Sequence, residues 1–181
     1  MNEIKQKTQL IKKIFNQDVI YISQGLMSNV ISPILTKQSD LIADINIAFE
    51  ASYGYASIID SRDGEKISFG FKIVDAKFIG VNRYLKFKLI DFLEQNELKK
   101  LKEIIFDSIK GISKLFLGQM LENELILENL YKQLIIKEND GVYFIDFSNL
   151  SLNKLDLIVN NLGITNIFIK NKRLAIELGS N

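Results

Sequence analysis

Cysteine, histidine and tryptophan are absent from this chain of 181 residues, and proline occurs once. Without cysteine or histidine the protein can form no disulfide, none of the usual zinc sites, and no Cys–His or Ser–His catalytic arrangement. Metal sites made of carboxylates alone and catalysis by a pair of carboxylates remain open. The lack of cysteine is also typical of proteins from a reducing compartment.

An excess of either charge is absent as well. The 23 Lys and Arg residues nearly balance the 22 Asp and Glu residues, which leaves a net charge of +1. Only Arg62, Arg83 and Arg173 are arginines, so few side chains could form two parallel hydrogen bonds with a phosphate or a guanine. Proteins dedicated to nucleic acids normally show a basic excess or stripe. We therefore expect no nucleic-acid partner.

Long apolar runs are missing too. No segment approaches the roughly 20 apolar residues that a membrane-spanning helix needs. The first residues, MNEIKQKTQLIKKIFNQ, are too polar for the core of a signal peptide. These patterns predict a cytoplasmic protein.

The N-terminal segment combines apolar residues and lysines at helical spacing. Its apolar positions include Ile4, Ile11, Ile14 and Phe15, with lysines between them. This pattern predicts a peripheral amphipathic helix over residues 1–16. We favour docking of this helix on the domain or on a protein partner, and a peripheral membrane contact through residues 4–15 is the alternative.

Helical periodicity also covers four later segments. These segments are residues 18–37, 96–117, 120–134 and 153–161. In the first of them Pro33 should kink or interrupt the helix, because proline lacks an N–H group and crowds the preceding turn. Ser32, directly before it, should avoid helical geometry.

Between these helices the apolar residues alternate with polar ones, as in half-buried strands. Residues 43–60 read as one long strand, and an Asp63-Gly64 turn leads to a second strand over 66–79 and a third over 84–92. The apolar phase of the second strand changes near Val74, which predicts a β-bulge or a switch of the covered face.

Two further hairpins are predicted around Asp140-Gly141 and Asn171-Lys172. The order of elements predicts an α+β fold in a single domain, residues 1–181. In it a long antiparallel β-meander is wrapped on one or two long helices, with additional C-terminal β-hairpins.

Carboxylates are the only strong candidates for acid–base chemistry. Asp146 lies among apolar residues, where burial could raise the pKa of a carboxyl and make it a general acid. Strand alternation instead favours a solvent-facing position for it. Asp60 and Asp63 flank a turn, where aspartate commonly bonds the backbone. We expect a protein that is not an enzyme and has no metal site and no cofactor.

The overall order of elements resembles the tubular lipid-binding superfamily, which includes the domains similar to bactericidal/permeability-increasing protein. Two stretches look like its bacterial and clostridial members: GEKISFGFKIVDAKFIGVNRYLKFKLIDF, and DGVYFIDFSNLSL followed by ITNIFIKNKRLAIEL. The resemblance covers roughly residues 18 to 178 in pattern. It implies that the protein binds a lipid or another long apolar molecule without catalysis.

A cavity between the sheet and the helices is the expected binding site. Small residues of the first predicted strand should leave room for an apolar ligand: Ala48, Ala51, Ser52, Gly54 and Ala56. The predicted ligand-binding residues are Leu26, Val30, Ile47, Phe49, Tyr53, Phe69, Phe71, Ile105, Ile109 and Phe116. The alternative is a protein–protein interaction module with a solid core and no ligand.

Overall fold

The computed structural model describes residues 18–79, 82–117, 135–148 and 163–179, without the side chains of residues 112–117 and 135–138. The helices predicted over residues 1–16, 120–134 and 153–161 lie outside these described residues. The 80–83 turn between the second and third predicted strands lies partly outside them.

Strands dominate the described part of the chain. They are β1 (Val19–Ile22), β2 (Ile42–Phe49), β3 (Gly54–Asp60), β4 (Lys66–Ile79), β5 (Asn82–Leu89), β6 (Ile135–Asn139), β7 (Val142–Asp146), β8 (Ile164–Lys170) and β9 (Arg173–Leu178). The helices are α1 (Gln24–Leu26), α2 (Ser32–Gln38) and α3 (Gln95–Leu117), and a π-helical turn, Met27–Ile31, joins α1 to α2.

All nine strands belong to one antiparallel sheet. The main path runs β1-β9-β8-β4-β5-β7-β6, and β3 joins β2 to β4. The strand β4 pairs with β3 through residues 66–71, with β5 through residues 71–79, and with β8 at Phe78. The expected α+β class and antiparallel meander are thereby confirmed.

The prediction of one strand over residues 43–60 is wrong, because the chain turns at residues 50–53. Glu50 N–H donates to the Tyr53 carbonyl over 2.8 Å, and β2 and β3 then pair as a hairpin. The odd-numbered apolar phase continues through the turn at Ala51 and Tyr53, so alternation alone hides it. As a result the inward side chains of β3 are the even-numbered ones, and Tyr55 is exposed.

The helix predicted over residues 18–37 begins later than expected. Residues 19–22 form β1, and Ser23 caps the following helix by accepting the Leu26 N–H at 3.3 Å. Ser32 is helical, with φ −57° and ψ −46°, so the expected effect of Pro33 on it is wrong. Pro33 lies at the start of α2, directly after the π-helical turn, where a missing N–H costs least.

Several other predictions are confirmed. The strand β4 has the predicted bounds, and its pairing with β5 shifts register between Ile73 and Asp75, as a bulge requires. The two C-terminal hairpins form, and Asn171 and Lys172 both adopt positive φ, as in a type I′ turn. The third predicted strand is β5, which ends at Leu89 rather than at Phe92.

Two apolar clusters hold these layers together. The larger lies between β2, β3, β4 and α3, where Ile67, Leu101 and Ile104 are almost fully buried. The smaller contains Met27, Phe49 and Ile169 and joins the helical residues 24–38 to the sheet. Gln24 fixes this contact with its side-chain amide, which donates to the Ile47 carbonyl at 2.5 Å and accepts the Phe49 N–H at 3.0 Å.

The C-terminal end of α2 touches α3 at Gly111. A Cβ atom on Gly111 would lie 1.5 Å from the Gln38 carbonyl oxygen, so only glycine fits at this crossing. Asp107, one turn earlier on α3, accepts the Ser39 hydroxyl at 2.6 Å and the Asp40 N–H at 2.7 Å. The start of β2 is therefore held to α3 by a close backbone approach and by one carboxylate.

We predict that Gly111→Ala lowers the free energy of unfolding by roughly 2–3 kcal/mol, because the backbone at Gln38 must move away. Gly25→Ala is the matched control, since its Cβ would meet nothing closer than 4.0 Å. That control should be neutral or stabilising by up to about 1 kcal/mol. Urea denaturation followed by circular dichroism measures both, and equal stability of the two variants would contradict the close approach.

Candidate ligand pocket

An apolar pocket of about 380 Å³ lies between the inner face of the sheet and α3. Strand alternation produces its sheet wall, because the inward positions of β2, β3, β4 and β5 that border the pocket carry apolar side chains. Residues of the sheet that line it are Ile42, Ile45, Ile47, Ala56, Ile58, Phe69, Phe71, Leu85, Phe87 and Ile145, with Phe147 beyond the end of β7.

A small residue opens space in this wall. Ala56 on β3 is paired with Ile47 on β2 and with Phe69 on β4, so a methyl group stands between two large side chains. Ala56, one of the small residues expected to leave room for a ligand, thus lines the pocket. Gly54 packs instead under the ring of Phe71, where a Cβ atom would lie 2.4 Å from the ring.

Most of the helix wall comes from positions of α3 that share one face, with Leu35 of α2 beside them. Leu101, Ile104, Ile105, Ser108 and Ile109 line the pocket, and their spacing of three or four residues is that of an amphipathic helix. The one polar side chain among them, Ser108, donates its hydroxyl proton to the Ile104 carbonyl at 2.8 Å. With that proton used inside the helix, the pocket offers a guest almost only hydrocarbon.

Half of the predicted ligand-binding residues meet in this pocket. Those that line it are Ile47, Phe69, Phe71, Ile105 and Ile109. The other predicted residues are placed elsewhere, or their side chains lie outside the described part.

Leu26 and Val30 are exposed on the helical residues 24–38. Phe49 is buried in the smaller apolar cluster. Tyr53 lies in the β2–β3 turn, with its ring 5.4 Å from that of Tyr55. Phe116 belongs to α3, and its side chain lies outside the described part of the chain.

The pocket residues that sequence reasoning missed come from two sources. Leu85, Phe87 and Ile145 lie on strands whose alternation was visible, but nothing in the sequence showed that β5 and β7 pair and extend the wall. Ile104 is missing from the predicted binding residues although it is nearly fully buried. The spacing of Ile104 from Leu101 was the available signal for it.

A second, charged site lies where the β3–β4 turn meets the first turns of α3. Asp60 is fully buried, and the Arg62 guanidinium donates to both of its carboxylate oxygens, over 2.9 Å and 2.6 Å. Arg62 also binds Glu103 on α3 at 2.5 Å, while Lys100 binds Asp63 at 2.5 Å and also contacts Glu65.

These ion pairs set the protonation of the cluster. The hydrogen bonds from Arg62 hold the pKa of Asp60 below its ordinary value. The hydrogen bond from Lys100 lowers the pKa of Asp63, and the pKa of Lys100 itself is raised by its two carboxylate partners. A carboxyl group that acts as a general acid needs a raised pKa. The pKa values of Asp60 and Asp63 are lowered instead, so we interpret the cluster as ion pairs that hold the hairpin to α3.

Other chemistry finds little support in the described ranges. No group of three potential ligand side chains there is arranged to hold a metal ion. Asp146 accepts the Ser148 N–H at 2.8 Å, which is the local turn role expected of an aspartate.

None of the described helices combines the length and the apolar character that crossing a membrane would require.

The chain matches no protein-family model, and no curated protein or solved structure matches it. The resemblance to the tubular lipid-binding superfamily therefore stays a prediction.

We predict that Arg62→Met lowers the free energy of unfolding by about 2 kcal/mol at neutral pH, because the buried Asp60 carboxylate loses its donors. The pKa of Asp60 is lower in the folded state, so its stabilising effect is present above the unfolded value of roughly 4 and is lost as the pH falls through the folded value. The difference between Arg62→Met and the wild type should therefore shrink in acid.

Urea denaturation at a series of pH values measures this difference. Lys172→Met is the matched control, since Lys172 and Glu50 form an exposed pair 3.8 Å apart whose loss should be nearly neutral. A cost for Arg62→Met that does not change with pH would show that Asp60 is not the group involved.

Proposed function

We propose that the protein binds a lipid or another long apolar molecule in the pocket between the sheet and α3, and that it carries out no catalysis. The pocket itself is the observation that supports this proposal. Its volume of about 380 Å³ lies within the roughly 300–1,000 Å³ of typical ligand sites. Apolar cavities of about 150 Å³ already take up benzene.

The chemistry of the wall favours one class of ligand. A polar molecule would leave its hydrogen bonds to water behind and find almost none in the pocket, which costs several kcal/mol. An alkyl chain loses no hydrogen bonds on entry and gains about 0.8 kcal/mol for each buried methylene group. A ligand with a charged head group would therefore place its chain inside and keep the head group in water.

The arrangement of the elements agrees with this proposal. A long antiparallel meander wrapped on a long helix would enclose an elongated apolar space, as the resemblance to tubular lipid-binding proteins implies. The competing proposal is an interaction module with a solid core. The space beside Ala56 favours ligand binding over it.

We predict that the purified protein binds N-phenyl-1-naphthylamine, an uncharged apolar dye, with a micromolar dissociation constant and a stoichiometry of one. Filling the pocket from the helix side with Ile105→Phe and Ile109→Phe should weaken this binding by at least about tenfold, since a loss of 1.4 kcal/mol suffices. Dye fluorescence measures the affinity, and native mass spectrometry detects lipids that stay bound through purification.

Ile34→Phe is the matched control, because Ile34 is exposed on α2 and does not line the pocket. It should leave the affinity for the dye unchanged. A wild-type protein that takes up no dye and has the mass of the bare chain would overturn the proposed function. An equal loss of binding in Ile34→Phe would show that the dye binds elsewhere.

A further inference from the structure

The outer face of β4 and β5, opposite the pocket, is rich in lysine. Side chains alternate along each strand, and the register shift in β4 moves its outward positions from even to odd numbers. The lysines that result on this outer face are Lys66, Lys72, Lys77, Lys86 and Lys88. Five positive charges on two neighbouring strands contrast with a net charge of +1 for the whole chain.

These lysines are not neutralised within the described part of the chain. None of them forms an ion pair there, whereas Arg62, Lys100 and Lys172 all do. Lys72 and Lys88 are direct partners across the strands, an arrangement in which like charges destabilise a sheet. Such a pair is better tolerated when an external anion approaches it.

Three carboxylates lie on or beside this face: Asp75 on β4, Asp91 after β5 and Asp146 on β7. Asp75 stands across from Lys86 and accepts the Tyr84 hydroxyl at 2.9 Å. Asp91 accepts the Gly70 N–H at 2.5 Å. Their hydrogen-bond donors are neutral, so each carboxylate keeps its negative charge, and the five lysines exceed the three carboxylates by two charges.

Exposed apolar side chains lie among these lysines and at the end of β5. Tyr55, Val74 and Ile90 are 45%, 52% and 51% exposed, and Phe92 is 93% exposed. Tyr55 and Ile90 flank Gly70, since a Cβ atom there would lie 3.4 Å and 3.3 Å from them. Phe92 follows two residues later in the loop before α3. Exposed Phe, Ile and Tyr beside lysines are typical of surfaces that enter the head-group region of a membrane.

We propose that this outer face of β4 and β5 docks on an anionic lipid membrane. The lysine ammonium groups would pair with lipid phosphates and carboxylates, while Phe92 and Ile90 would enter the boundary of the acyl chains. The pocket lies on the other side of the same two strands. The proposal extends the proposed function but does not require that the pocket be occupied.

A membrane fits this face better than a nucleic acid does. Single-stranded nucleic acids need free aromatic faces on which bases stack. The rings of Tyr84 and Phe144 pack against each other at 5.6 Å, and the Lys86 ammonium lies over both rings, at 5.1 Å and 5.5 Å. These two rings are thus already engaged, and the Tyr55 ring packs edge-on against Tyr53. Among the described residues of this face that leaves Phe92 as the freely exposed ring, too few for a row of stacked bases.

The test is co-sedimentation of the full chain with phosphatidylcholine vesicles, with and without phosphatidylserine. The wild type should bind only the vesicles that contain phosphatidylserine, and added salt should weaken the binding. The triple variant Lys72→Gln, Lys86→Gln, Lys88→Gln should bind roughly 100-fold more weakly, about a factor of five for each lysine. Phe92→Ser should weaken binding about tenfold and, as an exposed loop change, also covers the case in which the triple variant fails to fold.

Lys37→Gln, Lys99→Gln, Lys110→Gln is the matched control, because it removes the same charge from α2 and α3, on the opposite side of the sheet. It should bind within about twofold of the wild type. The Ile105→Phe, Ile109→Phe variant should also keep vesicle binding, which separates this proposal from the ligand proposal.

Four results would overturn the proposal. One is a wild type that does not bind phosphatidylserine vesicles. Another is an equal loss in the two lysine triples, or tighter binding to a single-stranded oligonucleotide than to vesicles. The last is a loss confined to Lys5→Gln, Lys12→Gln, Lys13→Gln, which would place the contact in the N-terminal segment.

Discussion

The strand β4 pairs with three neighbouring strands, β3, β5 and β8, and the fold depends on the bulge between Ile73 and Asp75 within it. Before the bulge its odd-numbered side chains point inward, and Ile67 and Phe69 join the main cluster. After the bulge the even-numbered side chains point inward, and Ala76 is fully buried. One extra residue thus keeps both halves of the strand apolar on the side of the core while β3 and β5 pair with its opposite edges.

The same two strands separate the two proposed binding surfaces. Phe71 and Phe87 face the apolar pocket, whereas Lys72, Lys86 and Lys88 face outward from adjacent positions. A single pair of strands therefore provides a wall for an alkyl chain and a charged surface for head groups. A ligand exchanged between a membrane and the pocket would have to pass an edge of this sheet, because the paired strands themselves offer no opening.

Local chemistry explains which parts of this fold could be predicted. Turns marked by Asp63-Gly64, Asp140-Gly141 and Asn171-Lys172 were found because their residues favour the required backbone conformations. The β2–β3 turn carries no such residues in its centre and preserves the apolar alternation, so it was missed. Because the hairpin reverses the phase, the even-numbered side chains of β3 point inward, Ala56 among them, and Tyr55 is exposed.

Only half of the predicted ligand-binding residues line the pocket, because a pocket depends on contacts between distant segments of the chain. Ile105 and Ile109 follow from helical spacing alone, and Phe69 and Phe71 follow from alternation. Leu85 and Phe87 line the pocket only because β5 lies beside β4. Leu26 and Val30 do not line it, because they lie on the side of the helical residues 24–38 that faces away from the sheet. Periodicity shows which side chains of a helix or strand share a face, but it does not show which element packs against that face.

Gln24 bears on how this sheet behaves in a crowded solution. Among the described residues β2 pairs only with β3, and the backbone donors and acceptors on its other edge could recruit a strand from another molecule. By binding the Ile47 carbonyl and the Phe49 N–H, the Gln24 amide occupies the groups that an incoming strand would use. One side chain thus makes the end of this edge less available to an incoming strand, without the proline or inward charge that sheets commonly use for this purpose.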